Sequence, residues 1–386
     1  MLSFRSLIAI AAATTFGALP GLAHAQLNLL CSAPAEWCKL LADEFQKDTG
    51  IKVGLANTGG RAALATLAEQ KGKPQADVWF GGSAEGHSRA GKFALIDEYA
   101  SPVATQLQPW AQKVAEQSKN QSYGVYARVL GIGYNSTLAA QKKLAPPACW
   151  KDLVKPGYAA EVHMADPNTS GSSYLAIASM TQVFGEDEAF KNLKAMYKAQ
   201  PAGKKARPGI DDKAIPQGGA AAAAGKGAQV GKGAQAGKGG NWKGARAEAA
   251  KAETVKAPPP VGNAIAGIGY IGDIVAEAEG GAPVKAVTPC EGTIFEVGAV
   301  SIVKGARNLD NAKKFVDWAL GAKAQGLAAK AKVYAYPANT ATAASPLAPK
   351  FGDIKFINYD VAKFEKSAAR RHLIDRWQSE INPSSP

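Results

Sequence analysis

Ala76-Asp77-Val78-Trp79-Phe80-Gly81-Gly82-Ser83 reads as a buried strand that runs out into a glycine turn. Upstream, the same unit occurs twice more. Leu27 to Leu30 is a short apolar run followed by Cys31-Ser32-Ala33, and Ile51-Lys52-Val53-Gly54-Leu55 alternates and is followed by Asn57-Thr58-Gly59-Gly60-Arg61. Between the first two strands, Trp37, Leu40, Leu41 and Phe45 recur at helical spacing, with Pro34 at the start and Gly50 at the end. A second helix follows Arg61 through Ala62, Leu64 and Leu67, and another helical stretch follows Ser83. Strand and helix in alternation predict an α/β fold built on mostly parallel sheets.

In open α/β sheets ligands sit beyond the carboxyl ends of the strands. Three such ends converge here, at Ser32, at Thr58-Gly59-Gly60-Arg61 and at Gly82-Ser83, and together they are more specific than any one turn. A fourth candidate lies further on. Asp166-Pro167-Asn168-Thr169-Ser170-Gly171-Ser172-Ser173-Tyr174 leads into the apolar run 175–180. Pro167 cannot continue a preceding helix, and Asn, Thr and Ser are strong N-cap types. Asn168, Thr169, Ser170, Gly171 and Ser172 therefore open a helix whose free N–H groups and dipole suit an anion.

Residues 123–127 and 130–135 read as extended, 161–165 as a strand, and 186–197 as an amphipathic helix. From 201 to 262 the composition changes to Ala, Gly, Lys and Pro, with Val230 and Trp242 nearly alone as large apolar groups between residues 220 and 253. Such a tract cannot offset its ordering entropy by burial and reads as a disordered insert. It explains most of the charge. The chain carries +13, and residues 201–260 hold nine Lys and two Arg against two Asp and two Glu, or +7. Without interleaved aromatics the tract gives no nucleic-acid signature. Order resumes at residue 264 as an apolar strand ending at Asp273. Gly267, Gly269 and Gly272 match G-x-G-x-x-G there, but a dinucleotide site needs a helix opening at those glycines, with an acid such as Glu291 behind it. Residues 283–287 and 294–303 are further strands, and 309–320 and 360–381 are helices.

Met1 to Ala25 reads as a signal peptide: Arg5, an apolar stretch from Leu7 to Leu19, and Ala23-His24-Ala25 as the cleavage site, with cleavage after Ala25. The exported product is expected in the periplasm. Cys31, Cys38, Cys149 and Cys290 then favour disulfides. Cys31 and Cys38 are close enough for one small loop, leaving Cys149 with Cys290, one of three pairings that four cysteines allow. No C-x-x-C or histidine partner supports a metal, and no cofactor is implied. His87, His163 and His372 stand apart from any nucleophile motif, and neither G-x-S-x-G nor H-E-x-x-H occurs, so no catalytic residue is assigned.

Several stretches resemble the periplasmic solute-binding proteins of ABC importers, of the ferric-iron and phosphate-ester binding class. They are Leu29-Leu30-Cys31-Ser32 with Glu36-Trp37-Cys38, Asp77 to Ser83, Gly131-Ile132-Gly133-Tyr134-Asn135, Pro147-Ala148-Cys149-Trp150, Ala165 to Gly171, Pro289-Cys290-Glu291-Gly292-Thr293 with Glu296, and Lys304 to Asp310. The resemblance implies a two-lobe type II fold, with lobe one formed by residues 26–125 and 300–386 and lobe two by 126–299, interrupted by 201–262. It implies connections near 123–127 and 297–300. It implies a monomer that closes on a small anion, such as a phosphate ester or phosphonate, and docks on a membrane permease. Ser32 and Tyr126 would line the cleft, Arg61 would add positive charge, and Asp273 and Glu296 would accept hydroxyls or pair an amine. The family's histidine beside that aspartate is Gly272 here, and the adjacent tyrosines of its iron binders are absent, Tyr334 and Tyr336 being one residue apart. Ferric iron is the alternative ligand. An exported transferase-like enzyme on a phosphorylated substrate and a basic interaction protein acting through the insert are the readings from other classes.

Overall fold

The computed structural model describes residues 26–168, 170–197, 264–346, 348–364 and 366–382. The signal peptide, Thr169 and the 201–262 insert lie outside the described residues. The first α/β units form as expected. They are β1 (Gln26–Ser32), α1 (Ala35–Thr49), β2 (Lys52–Asn57), α2 (Gly60–Glu69), β3 (Val78–Ser83) and α3 (Ala84–Lys92). In α1, Trp37, Cys38, Leu41, Ala42 and Phe45 form one buried stripe, and Gly50 ends the helix at φ 71°, a left-handed cap that glycine adopts without strain.

After β4 (Ile96–Asp97) and α4 (Pro109–Gln117), the two extended stretches at 123–135 prove to be one strand, β5 (Tyr123–Asn135). It is buried along its length except at Arg128, which is half-buried. Next come α5 (Ser136–Gln141), β6 (Val162–His163), α6 (Gly171–Phe184), α7 (Glu186–Met196), β7 (Ala266–Tyr270), α8 (Ile271–Glu279), β8 (Val284–Val287) and β9 (Phe295–Val303). The chain ends with α9 (Leu309–Leu320), α10 (Ala322–Lys330), β10 (Tyr336–Pro337), α11 (Val361–Phe364) and α12 (Ser367–Glu380).

The strand order is β2-β1-β3-β9-β5-β7-β6, with β10 and β8 also on β5 and β4 on β9. Among the strands of the described residues, parallel pairing joins β2-β1-β3 on one side and β6-β7 on the other. The sheet is therefore more mixed than expected, because β5 and β9 run antiparallel to each other and to their neighbours. These two strands belong to both lobes. The first part of β5 (Tyr123, Val125, Tyr126) packs with Leu29, Trp37, Phe80 and Phe315, whereas Leu130, Ile132 and Tyr134 pack with Trp150, Tyr174, Phe190 and Ile268. Within the first part, the β5–β9 register shifts between Gly124 and Tyr126, and Tyr126 pairs with Gly298. The result is the two-lobe α/β architecture.

Two details differ from the sequence reading. β7 stops at Tyr270, and the chain turns at once into α8 because Ile271, Ile274 and Val275, at helical spacing, are buried. Gly267 and Gly269 nevertheless face Gly133 and Gly131 in the β5 ladder, so they are strand glycines and not a phosphate-binding turn. The end of the chain also departs from its expected lobe. Phe364, Leu373, Trp377 and Ile381 join the second-lobe core, the Tyr174 hydroxyl donates to the Phe364 carbonyl, and Tyr197 meets Trp377 edge-on at 4.7 Å. The apolar stripe of α12 fits α6 and α7, so the tail crosses back instead of staying with lobe one. Both expected disulfides form, Cys31–Cys38 and Cys149–Cys290.

Candidate functional site

The three strand-end turns of lobe one do meet. A Cβ on Gly82 would lie 3.4 Å from the Gly60 Cα and 3.6 Å from the Ser32 Cβ. Gly81 (φ 80°) and Gly82 (φ 74°) both adopt left-handed backbone, and a Cβ on Gly81 would sit 2.8 Å from the Ser32 carbonyl. The turn can hold only glycine there. Ser32 is fixed from behind: the Trp79 indole N–H donates to its Oγ at 2.9 Å, and the Cys31–Cys38 bridge closes the loop it belongs to. Asn57 Nδ2 donates to the carbonyls of Cys31 (3.0 Å) and Ala33 (2.9 Å), which ties the end of β2 to the same loop.

The other lobe-one candidates are partly committed. The Thr58 N–H donates to the Cys31 carbonyl at 3.0 Å, and Ser83 Oγ caps α3 by accepting from the Gly86 N–H at 3.2 Å. Gly59 is the N-cap of α2 and Gly60 its first residue, so the first-turn N–H groups are without intrahelical acceptors. The Arg61 side chain is on an exposed position.

From Gly82 the site continues along one face of β5, where residues two apart point the same way. Tyr126 comes next, and burial pushes its phenol up to about 12. Tyr126 lies over Gly298, where any Cβ would enter its ring at 2.0 Å. Two residues on, Arg128 Nη2 donates to Asp273 Oδ2 at 2.6 Å, with the two side chains 11% and 15% exposed. The guanidinium rests 3.8 Å from the centre of the Tyr270 ring, and the Tyr270 hydroxyl donates to Glu296 at 2.7 Å. Arg128 and Glu296 face each other across the β5–β9 ladder. Burial works against the Arg128 cation, but Asp273, Tyr270 and Glu296 outweigh it and raise its pKa. Burial, then the Glu296 carboxylate, raise the Tyr270 phenol well above its ordinary value.

Ser32, Gly60 and Gly82 thus lie together in lobe one, and Arg128, Tyr270, Asp273 and Glu296 form a second group on β5, β7, α8 and β9. Asp273 is not reached from its neighbour in sequence. A side chain at Gly272 would strike the Tyr334 carbonyl at 2.5 Å, and the aspartate takes its cation from β5. Residues 168–172 build a local cap instead. The Asn168 N–H and Nδ2 both donate to Asp166 Oδ1 at 2.8 Å, and Ser170 Oγ accepts from the Ser173 N–H while lying 3.0 Å from Ser172 Oγ. Gly171 is exposed, and a Cβ there would meet nothing within 4 Å.

Three contributors were missed in the sequence: Arg128, Tyr270 and His87. Arg128 left a signal, a lone charge within the apolar run 123–134. His87 is fully buried and stacked 3.8 Å from the Trp79 ring. Of the other histidines, His372 bonds Glu186 at 2.7 Å on the surface. Cys149, Cys290 and Glu291 cluster closely enough to hold a metal, but both sulfurs are joined in the disulfide. The first group carries hydroxyl and N–H donors, and the second carries paired charges.

A family description, "Bacterial extracellular solute-binding protein", matches residues 41–353. An uncharacterized protein of Haemophilus influenzae is 32% identical over 361 residues, 93% of this chain and 91% of that one. The periplasmic binding protein AfuA from Actinobacillus pleuropneumoniae, solved with exogenous fructose-6-phosphate bound, is 34% identical, with a TM-score of 0.67 over 92% of this chain and 98% of its own. The periplasmic binding protein P5PA is 28% identical, with a TM-score of 0.66 over 92% of this chain and 99% of its own.

Proposed function

The chain belongs to the bacterial extracellular solute-binding proteins, and from that premise we propose that it captures a small phosphate ester with a polyol body between its lobes. The loaded, closed form then delivers the solute to the membrane permease of an ABC importer. The protein acts in the periplasm after cleavage behind Ala25, as a monomer, without turnover, cofactor or nucleic acid. The observation that carries the reading is the meeting of Ser32, Gly60 and Gly82 in lobe one, with the charge pair Arg128–Asp273 and Glu296 further along β5 and β9. Donors without counter-charge suit a phosphate, as the free N–H groups of a helix start do. A paired carboxylate and guanidinium suit hydroxyls, which both donate and accept. AfuA, the 34% identical neighbour, holds a sugar phosphate, which favours the same class.

In this reading Thr58, Gly59, Arg61 and Ser83 complete the phosphate end. Asn168, Thr169, Ser170, Gly171 and Ser172 supply the second-lobe contribution on closure. Isothermal titration of the mature chain with fructose 6-phosphate, fructose, inorganic phosphate and ferric citrate tests the proposal. Fructose 6-phosphate is expected to bind one to one, more tightly than either half of the molecule, and to be recovered unchanged. Binding of ferric iron alone, or conversion of the sugar phosphate, would refute it.

A further inference from the structure

A buried indole usually finds an acceptor for its N–H, and the kind of acceptor differs along this chain. Trp150 donates to the Gly292 carbonyl at 3.0 Å, and Trp318 to the Asp48 carboxylate at 2.9 Å. Those acceptors carry no proton, so the run of hydrogen bonds ends on them. Trp79 donates instead to a hydroxyl, Ser32 Oγ, at 2.9 Å. A hydroxyl that accepts still has one proton to give.

Trp79 is fully buried and held on several sides. Its ring stacks on His87 at 3.8 Å and 11°. A Cβ on Gly82 would lie 3.3 Å from its Cζ2, and one on Gly86 3.4 Å from its Cη2. The ring therefore lies close beneath the Gly82 turn and the start of α3, where glycines leave it room. From there the indole fixes Ser32 in two ways. The contact selects one side-chain rotamer where a free serine samples three. It also takes one lone pair of Oγ, which bars the serine proton from that direction. Ser32 is 6% exposed, and among the described residues its hydroxyl proton has no acceptor. Buried donors are ordinarily satisfied. Ser83 is in the same condition: Oγ accepts from the Gly86 N–H at 3.2 Å, and its proton has no acceptor among the described residues. Two hydroxyls around one turn thus each receive a bond from the protein behind them and have a proton left to give.

We infer that Trp79 is a positioning residue that sets the Ser32 hydroxyl as a donor, so that this end of the site takes a group made only of acceptors, such as the ionised oxygens of a phosphate. The inference rests on the phosphate-ester reading given above and deepens it. Trp79 is fully buried and touches no solute. It acts through Ser32, whose hydroxyl gives a stronger bond outward because it accepts one from behind. A donor already oriented is worth more to an anion than one that must reorient on binding.

The test is a double-mutant cycle on affinity, read by isothermal titration with fructose 6-phosphate and with inorganic phosphate. Ser32→Ala is expected to weaken both about tenfold or more, the loss being of a hydrogen bond to a charged group. Trp79→Phe should weaken both by about three- to tenfold in the natural chain, and by less than about twofold in the Ser32→Ala chain, where there is no hydroxyl to set. Exchanging the Trp79 indole for benzothiophene keeps the ring shape and the stack on His87 but removes the N–H. It should reproduce the Trp79→Phe loss, and it replaces Trp79→Phe if that variant does not fold. In the chain without ligand, Ser32→Ala should move the Trp79 indole N–H resonance in an NMR spectrum. Equal losses from Trp79→Phe with and without the Ser32 hydroxyl overturn the inference, since Trp79 would then act by packing alone. Unchanged affinity in the benzothiophene variant overturns it too, as does an indole resonance that Ser32→Ala leaves in place. Binding of inorganic phosphate but not of the sugar phosphate refutes the function proposed above, and the cycle with inorganic phosphate then decides the role of Trp79. Binding of neither overturns both.

Discussion

Replacing the buried His87 by phenylalanine permits a prediction about stability that needs no ligand. Burial, opposed only by the Gly81 carbonyl, lowers the His87 pKa from 6.5 to about 4. The unfolded chain therefore binds a proton on this residue at a pH where the folded chain does not. Stability is fully present above pH 6.5 and is lost as pH falls through the window from 6.5 to about 4. Each tenfold change in proton affinity is worth about 1.4 kcal/mol, so the loss across the whole window is about 3 kcal/mol. No charged side chain takes part, so the effect does not depend on screening by salt.

Urea unfolding of the natural chain and of His87→Phe, from about pH 4.5 to 7.5, isolates this contribution because every other titrating group is common to both. Near neutral pH the variant should be less stable by about 1–3 kcal/mol, since the Gly81 carbonyl and the Ser301 hydroxyl lose a buried partner. Toward pH 4.5 the gap should close or reverse, because only the natural chain bears the cost of an unprotonated imidazole. A gap of constant size across this range refutes the reasoning. It would mean that His87 is protonated in the folded chain as readily as in the unfolded one.

Two further outcomes follow from close contacts and buried charge. Gly298→Ala forces a methyl into the Tyr126 ring and should cost about 1–3 kcal/mol in urea, whereas Gly326→Ala, with open space around it in α10, should be neutral or stabilise by about 0.5–1 kcal/mol. Arg128→Met alone leaves Asp273 in a partly buried site without its guanidinium and should destabilise by a few kcal/mol, while the double variant Arg128→Met, Asp273→Leu should recover most of that and bind fructose 6-phosphate poorly. Full stability loss in the double variant, or retained affinity, counts against the charge-paired floor of the cleft.

Much of the fold is legible in the chain because periodicity is local. The stripe of Trp37, Leu41 and Phe45 names a helix and the glycine after it names its end, and both are as expected. What fails is information that lies between distant elements. Residues 123–127 and 130–135 read as two stretches because Arg128 interrupts the apolar pattern, yet the backbone continues through it in one strand shared by both lobes. The apolar stripe at the end of the chain is visible in Phe364 of α11 and in Leu373 and Trp377 of α12, but nothing in those residues says that Tyr174 and Phe190, not the lobe-one core, will cover them. Asp273 reads as a strand end because Ile268 to Ile271 is apolar, and the switch to a helix at Ile271 depends on burial against β5 that no short window contains.

The site divides along the same line. Glycine turns after strands are local, and Ser32, Gly60 and Gly82 are found where the pattern places them. The groups that decide what those turns can do come from elsewhere. Arg128 reaches Asp273 from a residue 145 positions earlier, and Ser301 meets His87 from 214 positions later. A lone histidine in α3 has no sequence neighbour that could serve it as base or nucleophile, and by that test it reads as structural. One of its nitrogens holds the Gly81 carbonyl and the other meets Ser301 Oγ, so it joins the end of β3 to β9. That arrangement is set by a carbonyl six residues earlier in the chain and by a serine on β9, which is why it becomes visible only when β3, α3 and β9 are packed together.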